Sequence, residues 1–599
     1  MANSVYFNGN IITVPGAYSA IDTSGMRTKT SADSVKVLAL IGECTGGEPG
    51  AVQFFTEPTV ARKALKSGDL LKACEKAWNP VSGTKEGVEL GGAHTIACIR
   101  TNSATKAELN IYKTLGAEKP QIAFQSKDWG KDNNHRIKIQ DGSTPGTKAI
   151  TIHDQVNDVY ENFDNLGRLY SIGYTGDQPY AELNIWRDNQ NVMQFQTKVG
   201  ADEDSATEDI NIILDPTVYK SLRSFVYDLQ SYENYKVTSA IRYNLRLAVT
   251  DFDFIEKKNI KSTTENPVYN VTAVYADIAY YLALNSNLVE VTSYDRKQGE
   301  INNLDSYVYL TGGSEGISPA SWVQFFDALS NLNIDYIVPL TGENTIHAEL
   351  AQHIQTCSGV MGRERRGVVG GNIEETVNET IQRARELNTS RMQVVHGGLY
   401  DLDIANSNQL TLYPPYILAA QHAGRAAFLP DGESATHDVY RMSAPEYQLE
   451  ASDITKLIQA GCLAFEYVLN GNSANAAYVR LVQDITTDLM NEDSVHTERA
   501  TGQLADSINK EIRVELDNLL TGKRTSQTDL VSAENRVISV LQNRLRNGYI
   551  VAFKNVYITK TGGTTQVDYS VAPAEVNNFT LITAHYYSQS LAVSDSDDE

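Results

Sequence analysis

Tyr307-Val308-Tyr309-Leu310 opens a stretch that runs to Phe428 and alternates strand and helix throughout. The first β-rich run stops at a glycine loop, Thr311-Gly312-Gly313-Ser314-Glu315-Gly316. Ser318-Pro319 then supplies a helix cap and a first-turn proline, ahead of Trp322, Phe325, Phe326 and Leu329 at helical spacing. Ile334-Asp335-Tyr336-Ile337-Val338-Pro339-Leu340 is an apolar strand, and Asn344 can cap a helix whose stripe is Ile346, Leu350, Ile354 and Cys357. Gly367-Val368-Val369-Gly370 predicts a third strand, and 374–387 a helix with acidic residues in its first turn. Met392-Gln393-Val394-Val395 is a fourth strand and 416–428 the next helix. Short apolar strands separated by amphipathic helices imply a mostly parallel sheet covered on both faces.

N-terminal to this block, residues 35–41 form another buried strand, leading into the glycine-rich run 42–50. Two helices follow, one opened by Pro58 and one at 70–78, and 94–100 and 108–112 are strands expected to join or pack on the same sheet. From about 116 to about 304 the texture changes to short Tyr-, Ile- and Val-rich strands (136–139, 148–152, 169–174, 180–186, 192–197) between polar turns. One clear helix interrupts them, opening at Pro216 and carrying Leu222, Phe225, Val226 and Leu229. This is a β-rich insertion between two halves of one α/β domain, and insertions of this kind lie on the outside.

The ends of the chain differ from its middle. Val5-Tyr6-Phe7 and Ile11-Ile12-Thr13-Val14 flank Asn8-Gly9, a hairpin signal, and 17–21 is a second extended piece with little to bury. Leu504, Ile508, Ile512, Leu516 and Leu519 form one helical stripe, and Leu530, Val537, Leu541 and Leu545 another that stops at Gly548. Residues 549–559 and 566–571 are strands about a Gly562-Gly563 turn. The last strand, 578–593, is long and apolar on both faces, so it is expected to reach past its own domain; an acidic tail follows.

The chain has 599 residues, enough for several domains, and 41% hydrophobic residues, ample for packed cores. No apolar run is long enough to span a bilayer, and the opening residues do not read as a signal peptide. Cys44, Cys74, Cys98, Cys357 and Cys462 are scattered, which implies buried, reduced thiols of a protein made in cytoplasm. A net charge of −23 argues against nucleic acid and against an anionic membrane as partners. It serves solubility, or it opposes indiscriminate clumping where many copies crowd together.

Catalytic signals are few. Gly312-Gly313-Ser314-Glu315-Gly316 fits the nucleophile-elbow pattern, and His396-Gly397-Gly398 resembles an oxyanion-hole sequence, so a serine hydrolase of α/β type using Ser314 is the alternative function. Against it, the His-Gly-Gly run follows the elbow where it should precede it, and nothing selects among His422, His437, His496 and His585. His347, Glu349 and His353 do not make a zinc motif, because the two histidines are not one helical turn apart. The reading is no catalytic residue, no metal and no cofactor.

Several stretches resemble the tail sheath proteins of contractile-tailed bacteriophages. They are Ile21-Asp22-Thr23-Ser24-Gly25, then Leu38-Ala39-Leu40-Ile41-Gly42 running into Thr45-Gly46-Gly47-Glu48-Pro49, and Ser67-Gly68-Asp69-Leu70-Leu71 before Trp78. Gly130 with Asn133, Asn134 and Arg136 is similar to the family's entry into its insertion; Thr311-Gly312-Gly313 with Gly316, and Val338-Pro339-Leu340, match its central domain. Most specific is 516–553, with Gly522, Arg524 and Thr525 between the helices and Gly548-Tyr549-Ile550 after them. Where many sheaths carry Gly-Arg-Thr, this chain has Arg480, Gln483-Asp484, Thr486 and Thr487, a divergent branch.

With that resemblance, the expected architecture is an α/β core with a mostly parallel sheet, a β-rich inserted outer domain, an α+β C-terminal domain, and extended N- and C-terminal arms. The division is 1–30 arm, 31–115 first part of the sheath core, 116–304 insertion, 305–470 central sheath domain, 471–577 inner C-terminal domain, and 578–599 strand arm and acidic tail. The resemblance implies a structural subunit of the virion tail, assembled in the host cytoplasm. It stacks in hexameric rings as a helical homo-oligomer around the tail tube protein and contracts to drive the tube through the host envelope. Baseplate and tail terminator proteins are the further partners implied, with no nucleic acid and no membrane. Inter-subunit strand exchange is expected at Ile11, Ile12, Val14, Tyr18, Ile21, Phe579, Leu581, Ile582, Tyr586 and Tyr587, because neither end can satisfy its backbone alone. The family's tube attachment in the C-terminal domain points to Lys510, Arg513, Arg536, Arg544 and Arg546 on the paired helices.

Overall fold

Val37–Gly42 and Tyr336–Pro339 stand on opposite sides of the insertion in sequence, yet they pair in parallel, Leu38 opposite Tyr336 and Ile41 opposite Pro339. The structure, a computed structural model, describes residues 5–7, 10–12, 35–114, 117–239, 247–262, 268–359, 361–403, 408–469 and 477–586. The sheet built on that pair has seven strands, in the order Cys462–Leu463, Met392–Val395, Arg366–Gly370, Tyr336–Pro339, Val37–Gly42, Thr95–Arg100 and Val52–Phe55. Only the last pairing is antiparallel.

The two-residue period of a strand sends alternate side chains to opposite faces. Leu38, Leu40, Ile96, Cys98 and Val338 enter a core shared with the helices Asp69–Trp78 and Pro415–Phe428. Ala39, Ile41, Ala97, Ile99 and Ile337 enter a second core beneath Val323–Leu329 and Asn344–Gly359. Both faces are therefore covered, which is why these strands are apolar at nearly every position.

Four local expectations are corrected. Val308–Tyr309 does not join the parallel sheet; it pairs antiparallel with Arg136–Asp141 of the insertion, so the alternation begins in the core only at Tyr336. Lys106–Ile111 likewise pairs with Ile122–Trp129, because its exposed alternate residues suit a half-solvated antiparallel sheet. The helix after the glycine loop starts at Val323, since Ser318 instead donates to Glu43 (2.6 Å) and shares a hydrogen bond with Thr101. The helix expected from 374 starts at Val377, where Thr376 and Glu379 form a capping box.

The β-rich stretch contributes to two separate cores. Arg168–Tyr174, Tyr180–Arg187 and Met193–Gly200 enclose one with the helix Leu222–Leu229. Ile122–Trp129, Arg136–Asp141 and Lys148–Asp154 enclose the other with Val274–Asn285, a helix the sequence reading missed. Its hydrophobicity runs nearly all round, so it shows little amphipathic period.

Candidate functional site

At the C-terminal end, the helix Arg499–Leu520 and the helix Gln527–Arg546 lie together, with Leu504, Ile508 and Ile512 against Val537, Val540 and Leu541. Ser526 caps the second helix and accepts from Asp529 N, while Asp529 returns to Ser526 N at 2.7 Å. Gly522 (φ 75°) lies in the turn between the helices, two residues after the first ends, and Gly548 (φ 77°) follows the second; both are left-handed positions that favour glycine. The strands Ile550–Thr561 and Thr564–Pro573 then form a two-stranded hairpin, the first against the second helix and the second against the first. Among the described residues neither strand has a second neighbour, so both outer edges of the hairpin are open.

Residues 574–586, expected to begin a strand at 578, form no strand within this chain. Their apolar side chains stand in solvent: Phe579 is 79%, Leu581 93%, Ile582 87% and Tyr586 96% exposed. Tyr587 lies outside the described residues, as do Val14, Tyr18 and Ile21. Ile11 and Ile12 fall in the strand Asn10–Ile12, which pairs with Val5–Phe7 as the Asn-Gly turn predicts.

The five basic residues chosen on the paired helices do not share a face. Lys510 donates to Asn333 (2.8 Å), and Arg513 pairs with Glu364 and Gly362 O, so both point toward the parallel sheet. Arg544 is largely buried, donating to Asp431 at 3.2 Å and to Ser507 and Glu511 at 2.9 Å. Arg536 reaches Glu515 across the helix pair at 3.4 Å, and Arg546 bonds Gln542 O of its own helix; both are exposed. The core stripe explains the split, because positions flanking Ile508 and Ile512 fall over the neighbouring unit.

Beneath this end lies a buried polar network that sequence reasoning did not find. Asp484, fully buried, accepts from Arg499 Nε (2.8 Å), Gln393 Nε2 (2.9 Å) and Ala435 N (3.0 Å). Arg499 also donates to Tyr336 Oη (3.1 Å), Gln503 Oε1 (2.6 Å) and Glu433 O (2.6 Å). Gln503 continues to Asp431 (3.1 Å), which takes Lys36 at 3.2 Å and Arg544. Strands of the parallel sheet are thus tied to both C-terminal helices. Burial alone would raise the Asp484 carboxyl, but Arg499 and His422 outweigh it and hold the group well below the usual carboxylate range. The departure from Gly-Arg-Thr around Asp484 was the one visible signal; its partner, Arg499, looks in sequence like any helix-start arginine.

The loop around Ser314 is a joint between chain segments. Ser314 Oγ accepts from Gly316 N (3.1 Å), and its backbone bridges Thr105. Glu315 pairs with Arg100 (2.6 Å) and accepts from Lys131 N (3.1 Å). A Cβ on Gly316 (φ 64°) would lie 2.3 Å from Ser103 O. The chain leaves this loop extended, so the strand–turn–helix of a nucleophile elbow is not formed. His396 is buried with Nδ1 2.7 Å from Thr380 Oγ1, and His422 Nδ1 lies 2.7 Å from the Tyr440 hydroxyl. All five cysteines are buried and free; burial pushes the Cys44 and Cys462 thiols up to about 12. Among the described residues, no group of three His, Cys, Asp or Glu could hold a metal ion, and no helix is long and apolar enough to cross a membrane.

No protein-family model matches the chain. The tail sheath protein of Bacillus phage SP01 is 30% identical over 586 residues, which is 97% of each of the two chains. The putative tail sheath protein of Enterococcus phage phiEF24C is 29% identical over 585 residues, 97% of this chain and 98% of its own. The solved structure of a sheath tail protein from Listeria innocua aligns over 92% of this chain and 94% of its own, with a TM-score of 0.53 at 13% identity. At that identity the structure speaks for the fold alone. The two sequence relatives match nearly end to end.

Proposed function

This chain belongs to the bacteriophage tail sheath proteins, and from that we propose that it polymerises around a tail tube and contracts to drive the tube through the host envelope. Its partners are further copies in stacked hexameric rings, the tail tube protein, and baseplate and tail terminator proteins at the two ends. It works as a component of the virion tail, assembled in the host cytoplasm. The mechanical division is an N-terminal arm (1–30), a sheath core in two parts (31–115 and 305–470), an outward insertion (116–304), a tube-facing C-terminal domain (471–577) and a C-terminal arm (578–599).

The observation that carries this reading is at the C-terminal end. Phe579, Leu581, Ile582 and Tyr586 are 79–96% exposed beside a hairpin whose outer edges are unpaired among the described residues. An isolated monomer gains nothing from such exposure, and an open hairpin edge is a template for another strand. Strand exchange between copies satisfies both. Main-chain hydrogen bonds then hold the lattice together while subunit bodies reorient, and the work comes from an extended state separated by a barrier from a more stable one. Ile11, Ile12, Val14, Tyr18 and Ile21 serve the same exchange at the other end.

Tube attachment is assigned to the exposed side of the helix Gln527–Arg546 and the turn before it, where Lys523, Arg524, Arg536 and Arg546 are solvent-facing. Lys510, Arg513 and Arg544 brace the helix pair against the sheath core instead. Electron microscopy of the full-length protein and of a variant lacking residues 1–21 tests the reading. Tubes or rings are expected from the first and folded, unassembled subunits from the second. Long contractile sheaths from the truncated protein would refute strand exchange.

A further inference from the structure

Between the helix Arg499–Leu520 and the hairpin strand Thr564–Pro573 there is an apolar cavity of about 100 Å³. Leu504, Ala505, Ile508, Tyr569, Val571 and Pro573 form most of its wall. It lies on the side of the hairpin where Thr564–Pro573 has no strand neighbour among the described residues. A strand added along that edge would continue the hairpin, and its alternate side chains would point into the space above the first helix.

Resting on the strand-exchange reading, we propose that this cavity is a socket for the Phe579 and Leu581 face of a second copy's C-terminal segment. Seating those side chains would set the register of the added strand. Main-chain pairing alone does not choose a register, because every two-residue step offers the same hydrogen bonds; a pocket for one side chain does.

The occupant follows from where this chain's own segment goes. Ala574 N donates to Tyr549 O (3.1 Å), Ser494 Oγ to Glu575 (2.9 Å) and Asn578 Nδ2 to Glu498 (2.5 Å). These bonds carry residues 574–578 from the hairpin to the start of the first helix. They leave Phe579 at 79% and Leu581 at 93% exposure, outside the cavity. Among the described residues, each copy therefore has an apolar cavity that nothing fills and apolar side chains that nothing covers. The cavity and the exposed side chains are different surfaces of one copy, so a contact between them need not close on itself and can propagate through a lattice.

The test uses full-length protein with the photo-crosslinking residue p-benzoylphenylalanine at 579, 581 or 582, one at a time, mixed with isotope-labelled wild type and irradiated in assembled particles. Crosslinks from 579 and 581 between light and heavy copies, landing on 495–509 or 569–573, are expected, with at least tenfold fewer there from 582. Ala505→Trp, which fills the cavity, should cut those crosslinks at least tenfold while the unassembled subunit melts as wild type does. The wild-type mapping stands alone if that variant fails to fold. Crosslinks within one copy only, or equal yield at the cavity from 582, overturn the socket. Crosslinks to a second copy elsewhere overturn the socket and leave strand exchange standing. No crosslink between copies in assembled particles overturns both.

Discussion

Asp484→Asn keeps the shape of the buried carboxylate and removes its charge. Asp484 and Arg499 are both fully buried, and the carboxylate accepts three hydrogen bonds at 2.8–3.0 Å. Leaving the arginine without its counter-charge costs about 3–5 kcal/mol, the usual penalty for breaking a buried pair from one side. For a cooperative unit of 150–250 residues, each kcal/mol moves the melting temperature by about 2–4 °C, so the fall is about 6–20 °C. Scanning calorimetry of the unassembled subunit measures it in the transition that includes the parallel sheet and the C-terminal helices, since a chain of this length need not melt in one step. The pH dependence gives a second reading. The folded-state pKa of Asp484 is depressed, so its contribution is present above the ordinary carboxylate pKa and lost as pH falls through the lower, folded value. The gap between wild type and variant should be flat from about pH 5 to 8 and should narrow only below about pH 4. Replacing the pair together, as Asp484→Leu with Arg499→Met, should recover part of the loss. A melting shift under about 3 °C for Asp484→Asn would refute the view that this pair bolts the C-terminal helices to the sheet.

Further outcomes separate the surfaces from the supports. Arg536→Glu with Arg546→Glu should weaken co-assembly with the tail tube at physiological salt and leave the melting temperature unchanged. Arg544→Glu should instead destabilise the free subunit by about 2 kcal/mol or more, because it sets a new charge against buried Asp431. Ser314→Ala should assemble as wild type does, and a fluorophosphonate probe should leave the wild-type protein unlabelled. Gly316→Ala should cost about 1–3 kcal/mol in the melt, since its left-handed φ of 64° and contact with Ser103 O both oppose a side chain. Iodoacetamide at pH 8 should spare Cys44 and Cys462 in the native protein and alkylate them in denaturant, because burial keeps both thiols protonated.

The sequence by itself determined what depends on near neighbours. Apolar runs at 35–41, 334–340, 367–370 and 392–395 are strands because they are short, β-branched and bounded by glycine or proline, and helix stripes such as Leu504, Ile508 and Ile512 repeat at the helical period. The family resemblance rested on such local stretches too. Tertiary structure decided where similar-looking pieces went. Tyr307-Val308-Tyr309-Leu310 has the same local pattern as the core strands, but its neighbour is Arg136–Asp141. The all-round apolar helix Val274–Asn285 offers no periodic stripe, so only its burial beside Ile122–Trp129 and Lys148–Asp154 identifies it. Among the basic residues of the last two helices, packing set Arg544 inward and Arg546 outward, two positions apart and alike in sequence. Periodicity reports which face of an element is apolar; the choice of partner depends on contacts between residues far apart in the chain, which many local patterns satisfy equally and only the packed whole distinguishes.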